Sequence, residues 1–259
     1  MTKFDLAFEP PLLNSAGTLG FAPDTRWSDD LSDLGGFITN PISKQPRSPA
    51  NGTRFIEYPG GFLLHTGFPN PGFRAVLRIY QKRWERSPIP VIVHLLLEDI
   101  YQTQQMIMTL ENTTGIAGIE IGMPPDLDAA LVEQVSELIS SELPLILRLP
   151  YEKADQLSGT AGQEFLTSFI ALSVAPPRGM LIDANGIPVG GRLYGPALYT
   201  QTLALTSKLV ASGIPIIIGG GIYCRSQVEE LLEMGAIAVQ LDAILWRGGM
   251  LSGRANGPE

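Results

Sequence analysis

The sequence predicts a single (β/α)₈ TIM barrel spanning residues 1–259. Three observations carry this reading. Eight short apolar runs are rich in β-branched residues, helical spacing follows most of them, and the length of 259 residues suits one α/β barrel. Short apolar strands alternating with helices imply parallel pairing through right-handed crossovers. An open, doubly wound sheet accounts for the same runs, because eight strands do not by themselves prove closure.

In chain order the runs are PLLNSAG, GGFITNPI, PVIVHLLL, IAGIEIGM, LPLILRLP, FIALSV, IPIIIGGG and AIAVQLD. Helical spacing falls at residues 70–84, 100–110, 127–139, 197–211 and 226–234. Two longer connections, 44–70 and 176–194, are rich in Gly and Pro. Connections of that length in a compact domain are expected to be lids or binding loops. The terminal SGRANGPE is expected to fray.

A hydrophobic fraction of 44% with 17% charged residues excludes a disordered chain. The net charge of −8 argues against a broad nucleic-acid or anionic-membrane surface. Cys224 is the only cysteine, so an intramolecular disulfide framework and a Cys-cluster metal site are excluded. It reads as a packed residue or as a nucleophile near a helix start. No apolar run reaches membrane-spanning length and the N-terminus lacks a signal-peptide core, so a cytoplasmic protein is expected.

In a barrel of this type the chemistry belongs at the C-terminal ends of the strands. That rule selects Ser15, Ala16, Gly17, Asn40, residues 120–124, Arg148, Ala175, Gly219, Gly220, Gly221 and Asp242. His65, His94, Glu120 and Asp126 could gather at the mouth as metal ligands, but no two have a metal-specific spacing, and no metal site is expected.

Several segments together resemble the class 1 dihydroorotate dehydrogenases. They are LLNSAGTLGF, PRSPANGTRFIEYPGGFLLHTGFPNPG, LPLILRLP, DANGIPVGGRLYGPAL and IPIIIGGGIYCRSQVEELLEMGAIAVQ. The resemblance implies an FMN-dependent barrel with the flavin along the mouth, against backbone at Ser15, Ala16 and Gly17. It implies a phosphate held by amides at Gly195, Gly220, Gly221 and a Gly-Thr pair, which here reads Asp242-Ala243. Two family lysines stand here as Asn40 and Arg148, and arginine keeps the charge that stabilises a reduced flavin. The substrate positions implied are His65, Asn70, Gly122 and Ala175, where the family has mostly side-chain amides; Asn70 alone keeps its amide, or caps the next helix.

The departures set the functional expectation. The family's strand-four motif Asn-x-Ser-Cys-Pro-Asn, with its cysteine base, is replaced by EIGMPPDLD, so no catalytic residue can be assigned there. Asp126 could serve as a base but reads better as a helix cap. Asp242 would repel a phosphate oxygen at about 4 Å by about 1 kcal/mol in water and about 4 kcal/mol at an effective dielectric of 20. It could instead pair with Arg225 or cap the terminal helix. The expectation is a diverged, catalytically silent member, a pseudoenzyme with weak or lost FMN binding and a small-molecule site at the mouth. The alternative is an FMN-dependent oxidoreductase, a flavoprotein acting on dihydroorotate or another small substrate. The resemblance also implies a homodimer, and one subclass adds a second subunit.

Overall fold

The computed structural model describes residues 7–24, 31, 33–156 and 168–247; the SGRANGPE tail lies outside the described residues. The strands are β1 (Leu12–Asn14), β2 (Phe37–Ile38), β3 (Phe55–Tyr58), β4 (Gly61–Leu64), β5 (Val91–Leu96) and β6 (Gly118–Gly122). They continue with β7 (Leu145–Leu149), β8 (Ala171–Val174), β9 (Arg178–Ile182), β10 (Pro188–Tyr194), β11 (Ile216–Gly219) and β12 (Ala238–Leu241). The helices are α1 (Phe73–Trp84), α2 (Ile100–Glu111), α3 (Ala129–Leu138), α4 (Tyr151–Gln156), α5 (Tyr199–Ala211) and α6 (Arg225–Glu233).

Eight strands pair in parallel in the order β1-β12-β11-β8-β7-β6-β5-β2. The two ends of that order meet. Leu13 bridges Gly36 in parallel, and Gly35 N donates to Leu12 O at 2.8 Å. One step further the Asn14 side chain takes over from backbone: Ile38 N donates to Oδ1 and Nδ2 donates to Ile38 O, both at 2.7 Å. An amide side chain has the same donor and acceptor as a peptide unit, so it continues the ladder where β2 is shortest. The sheet is a barrel, and the open-sheet alternative is excluded.

Two apolar layers hold it. The larger lies between strands and helices and includes Trp84, Ile107 and Leu231. The smaller fills the barrel itself with Leu13, Ile38, Ile92, Ile146, Ala171, Ile217 and Ala238, together with Phe8. Branched apolar side chains packed in a layer are what a barrel interior requires.

The helix limits shift from the expected ones for local reasons. Gly72, with φ 83° and ψ 157°, interrupts the turn after Asn70-Pro71, so α1 starts at Phe73. The cap of α3 is Asp128, whose side chain accepts from Leu131 N at 2.8 Å; the exposed Asp126 is not the cap expected from the sequence. Pro196 opens a 3-10 turn, Pro196–Leu198, ahead of α5. The short α4 carries no periodicity long enough to be read in advance.

The two long connections are paired with each other. They form a four-stranded antiparallel sheet, β3-β4-β10-β9, in which Arg192 lies opposite Leu64 and Arg178. This sheet covers the C-terminal mouth of the barrel, where residues of β4 and β10 face those at the ends of β6 and β8 across one cavity.

Candidate functional site

Strand periodicity builds the site. Leu13, Ile38, Ile92, Ile146, Ala171 and Ala238 of the inner layer are each followed two positions later by Ser15, Asn40, His94, Arg148, Ser173 and Gln240. Alternate residues share a face, so a polar layer stacks on the apolar one. Glu120 joins it from β6, in register with His94 on β5.

Glu120 is the hub of that layer and is fully buried. Its Oε1 accepts from Ser173 Oγ at 2.5 Å, Gln240 Nε2 at 3.0 Å and Arg148 Nη1 at 3.3 Å. Its Oε2 lies 2.6 Å from His94 Nδ1. Arg148 also donates from Nη1 to Gln240 Oε1 at 2.7 Å and from Nη2 to Ser15 Oγ at 2.9 Å. Burial opposes ionisation of Glu120, but the Arg148 charge and the His94 and Ser173 hydrogen bonds outweigh it and hold the carboxyl well below the usual range. Burial pushes the His94 pKa down against the pull of Glu120, so the ring is neutral at neutral pH. A neutral imidazole facing a carboxylate through Nδ1 carries its proton there and leaves Nε2 as an acceptor.

Above the polar layer lies a cavity of about 360 Å³, within the usual range for small-ligand sites. Ala16, His65, Gly122, Arg148 and Ala175, all selected from the sequence, line it. Ser15 reaches it through Arg148. The absence of a side chain at Gly122 has a steric cause: an added Cβ would lie 2.6 Å from His94 Nε2. The imidazole occupies that room. Arg192 also lines the cavity. It donates from Nη1 to Pro176 O at 3.0 Å and lies over the Phe68 ring. Desolvation pulls its pKa down to about 10, and it meets no carboxylate among the described residues.

Two of the selected residues are engaged elsewhere. Asn70 accepts from Gly72 N and donates to Ser43 Oγ and Phe68 O, pinning the connection rather than capping α1. Asn40 Oδ1 accepts from Gly20 N at 3.1 Å. Cys224 is buried at the start of α6, where Gln227 Oε1 accepts from its backbone N–H. Among the described residues, no group of three His, Cys, Asp or Glu could hold a metal ion.

The end of the mouth expected to take a phosphate is packed. Tyr194 is buried, stacks on Phe62 with centroids 5.4 Å apart, and meets Trp246 edge-on at 5.3 Å. A Cβ on Gly221, whose φ is 72°, would collide with Tyr199 N, and one on Gly195 would collide with Gly60 O. Thr202 Oγ1 donates to Gly220 O at 2.9 Å. Asp242 Oδ1 accepts from Ala243 N, and its Oδ2 is buried without a partner among the described residues. Burial raises the Asp242 pKa to about 6. Arg225 is exposed at the start of α6 and forms no ion pair with it, whereas the Asp242 carbonyl accepts from Leu245 N. Asp242 therefore caps the 3-10 turn Ala243–Arg247. The Ala243 donor is spent and an enclosed carboxylate stands beside it, so these residues do not fit the phosphate of FMN.

Sequence reasoning selected Glu120 as a strand-end residue and an ion-pair partner for Arg148, named His94 with it as a metal candidate, and singled out Tyr194 as a ring that stacks or fills the site. It missed Arg192, Ser173, Gln240, Phe62 and Trp246. The signal was one polar residue inside each of VIVHLL, GIEIG, LILRL, ALSV and AVQL.

A family model described as dihydroorotate dehydrogenase matches residues 1–254. The catalytic subunit of dihydroorotate dehydrogenase B (NAD(+)) from Geobacillus kaustophilus is 27% identical, over 90% of this chain and 80% of that protein. The corresponding subunit from Pyrococcus furiosus is 26% identical, over 95% and 87% respectively. Among solved structures, dihydroorotate dehydrogenase of Eimeria tenella in complex with ferulenol superposes with a TM-score of 0.68 at 13% identity, covering 96% of this chain and 80% of that one. That likeness bears on the fold.

Proposed function

The chain belongs to the dihydroorotate dehydrogenase family, and on that premise we propose that it is a member that does not oxidise dihydroorotate, binds FMN weakly or not at all, and keeps its mouth cavity for a small organic anion. The observation that carries this is the end of β6. Gly122, Met123, Pro124 and Pro125 line the cavity, and none bears a group able to accept a proton where the family resemblance puts its cysteine base. The packed Tyr194 and the enclosed Asp242 support the loss of nucleotide affinity. The guanidinium of Arg192, half-buried at the cavity wall and in no ion pair among the described residues, supports an anionic ligand, because a partly desolvated charge is costly until it is neutralised.

A second reading, an FMN-dependent oxidoreductase, draws support from Arg148 and Ala16 at the cavity wall, where the resemblance places a flavin ring. The relatives named as catalytic subunits make a protein partner, or a homodimer in the cytoplasm, the assembly to look for. No helix among the described residues is long and apolar enough to cross a membrane.

Purification under mild conditions, with FMN titration and an assay for orotate formation, tests the reading. The expected result is a colourless protein that takes up no FMN and makes no orotate. A yellow protein bleached by dihydroorotate would overturn it, and light scattering reads the assembly.

A further inference from the structure

We propose that His94 is the proton acceptor of the mouth cavity, presented by Glu120 to a small carboxylate-bearing molecule held by Arg192. This rests on reading the cavity as an anion site and goes further by naming the reactive atom. Glu120 Oε2 lies 2.6 Å from Nδ1 and fixes the ring's tautomer and orientation. The free nitrogen, Nε2, lies beside Gly122, and the missing side chain there leaves it open to the cavity that both residues line. No hydrogen bond engages Nε2 among the described residues.

Charge on the wall points the same way. Of its four arginines, Arg47 pairs with Glu98 and Arg148 with Glu120. The guanidinium groups of Arg178 and Arg192 form no ion pair among the described residues, Glu152 accepting instead from the Arg178 backbone N–H at 3.0 Å, and a fork-shaped guanidinium is suited to holding a carboxylate through two parallel bonds. The charged groups acting on the imidazole are Glu120 from β6, Arg148 from β7 and Arg192 from β10.

The step balances without an oxidant. An acidic C–H or O–H bond of the ligand breaks and its electron pair stays on the ligand. The proton forms an N–H bond at Nε2. Glu120 balances the imidazolium, and Arg192 balances the charge left on the ligand. Glu120 is a positioning residue here, since it does not line the cavity and acts through the histidine.

The chain has 2 histidines, so nitrogen-15 NMR of labelled histidine resolves both rings, and the His94→Gln variant assigns them. The expected tautomer carries its proton on Nδ1. Iodoacetate is the chemical probe: Nε2 attacks its carbon, a C–N bond forms and iodide leaves. Peptide mapping should show carboxymethylation of His94 about tenfold faster than its reaction with neutral iodoacetamide, a ratio typical of local charge attraction, and Arg192→Gln should erase the preference. A proton on Nε2, equal rates for the two reagents, or an unmodified His94 would each overturn the proposal. The reagent comparison needs only the wild-type protein. Flavin content is read separately by colour, so a failure of the cofactor reading is recognised independently.

Discussion

At Asp242 one carboxylate oxygen is taken by the Ala243 amide and the other is enclosed without a partner among the described residues. Its folded pKa of about 6 lies above the ordinary 3.8, so folding favours the protonated form. The stability it contributes is whole below about pH 4 and is lost as pH rises through about 6. A displacement of about two pH units corresponds to about 3 kcal/mol. Asp242→Asn should therefore match the wild type near pH 4 and exceed it by about 2–3 kcal/mol above pH 7, read as urea unfolding across the range. A pH-independent difference would count against enclosure. Glu120 carries the opposite sign. Its folded pKa is depressed, so its contribution is full above about 4.5 and is lost as pH falls further. Glu120→Ala strands the Arg148 charge and should cost about 3–5 kcal/mol at neutral pH, converging with the wild type in acid.

Between β1 and β2 the barrel depends on a side chain. Asn14→Ala removes both bonds to Ile38 and leaves two buried backbone groups unpaired, which should cost about 2–4 kcal/mol. Hydrogen exchange at the Ile38 amide is the specific readout: it should lose protection while amides in β6 and β7 keep theirs. A protected Ile38 in the variant would show that another group closes the seam. The strands were legible because β-branched runs announce themselves, and most helices because their apolar spacing is regular. Helix starts were less legible, since caps such as Asp128 depend on one side-chain bond rather than on a pattern. The covering sheet was read as loops because its strands are half exposed and interrupted by Gly and Pro. The candidate site was partly legible through the strand-end rule, which found Ala16, Gly122, Arg148 and Ala175. His94 and Glu120 form their pair only through the β5–β6 register, and Arg192 enters the cavity only because two distant connections pair.

Across the whole molecule the net charge is −8, yet the cavity wall is rich in guanidinium groups. Anions therefore approach through an unfavourable outer field and are attracted only locally. Added salt should slow carboxymethylation of His94 by iodoacetate and leave the iodoacetamide rate unchanged, because screening acts on the charged reagent alone. Equal salt responses would count against local attraction. The covering sheet joins chain from before β5 to chain from after β8. Its strands β3 and β9 are half exposed, whereas β6 and β7 beneath are buried along their whole length, so the flap should peel away first and the molecule can bare its mouth by local unzipping while the staves beneath stay wound.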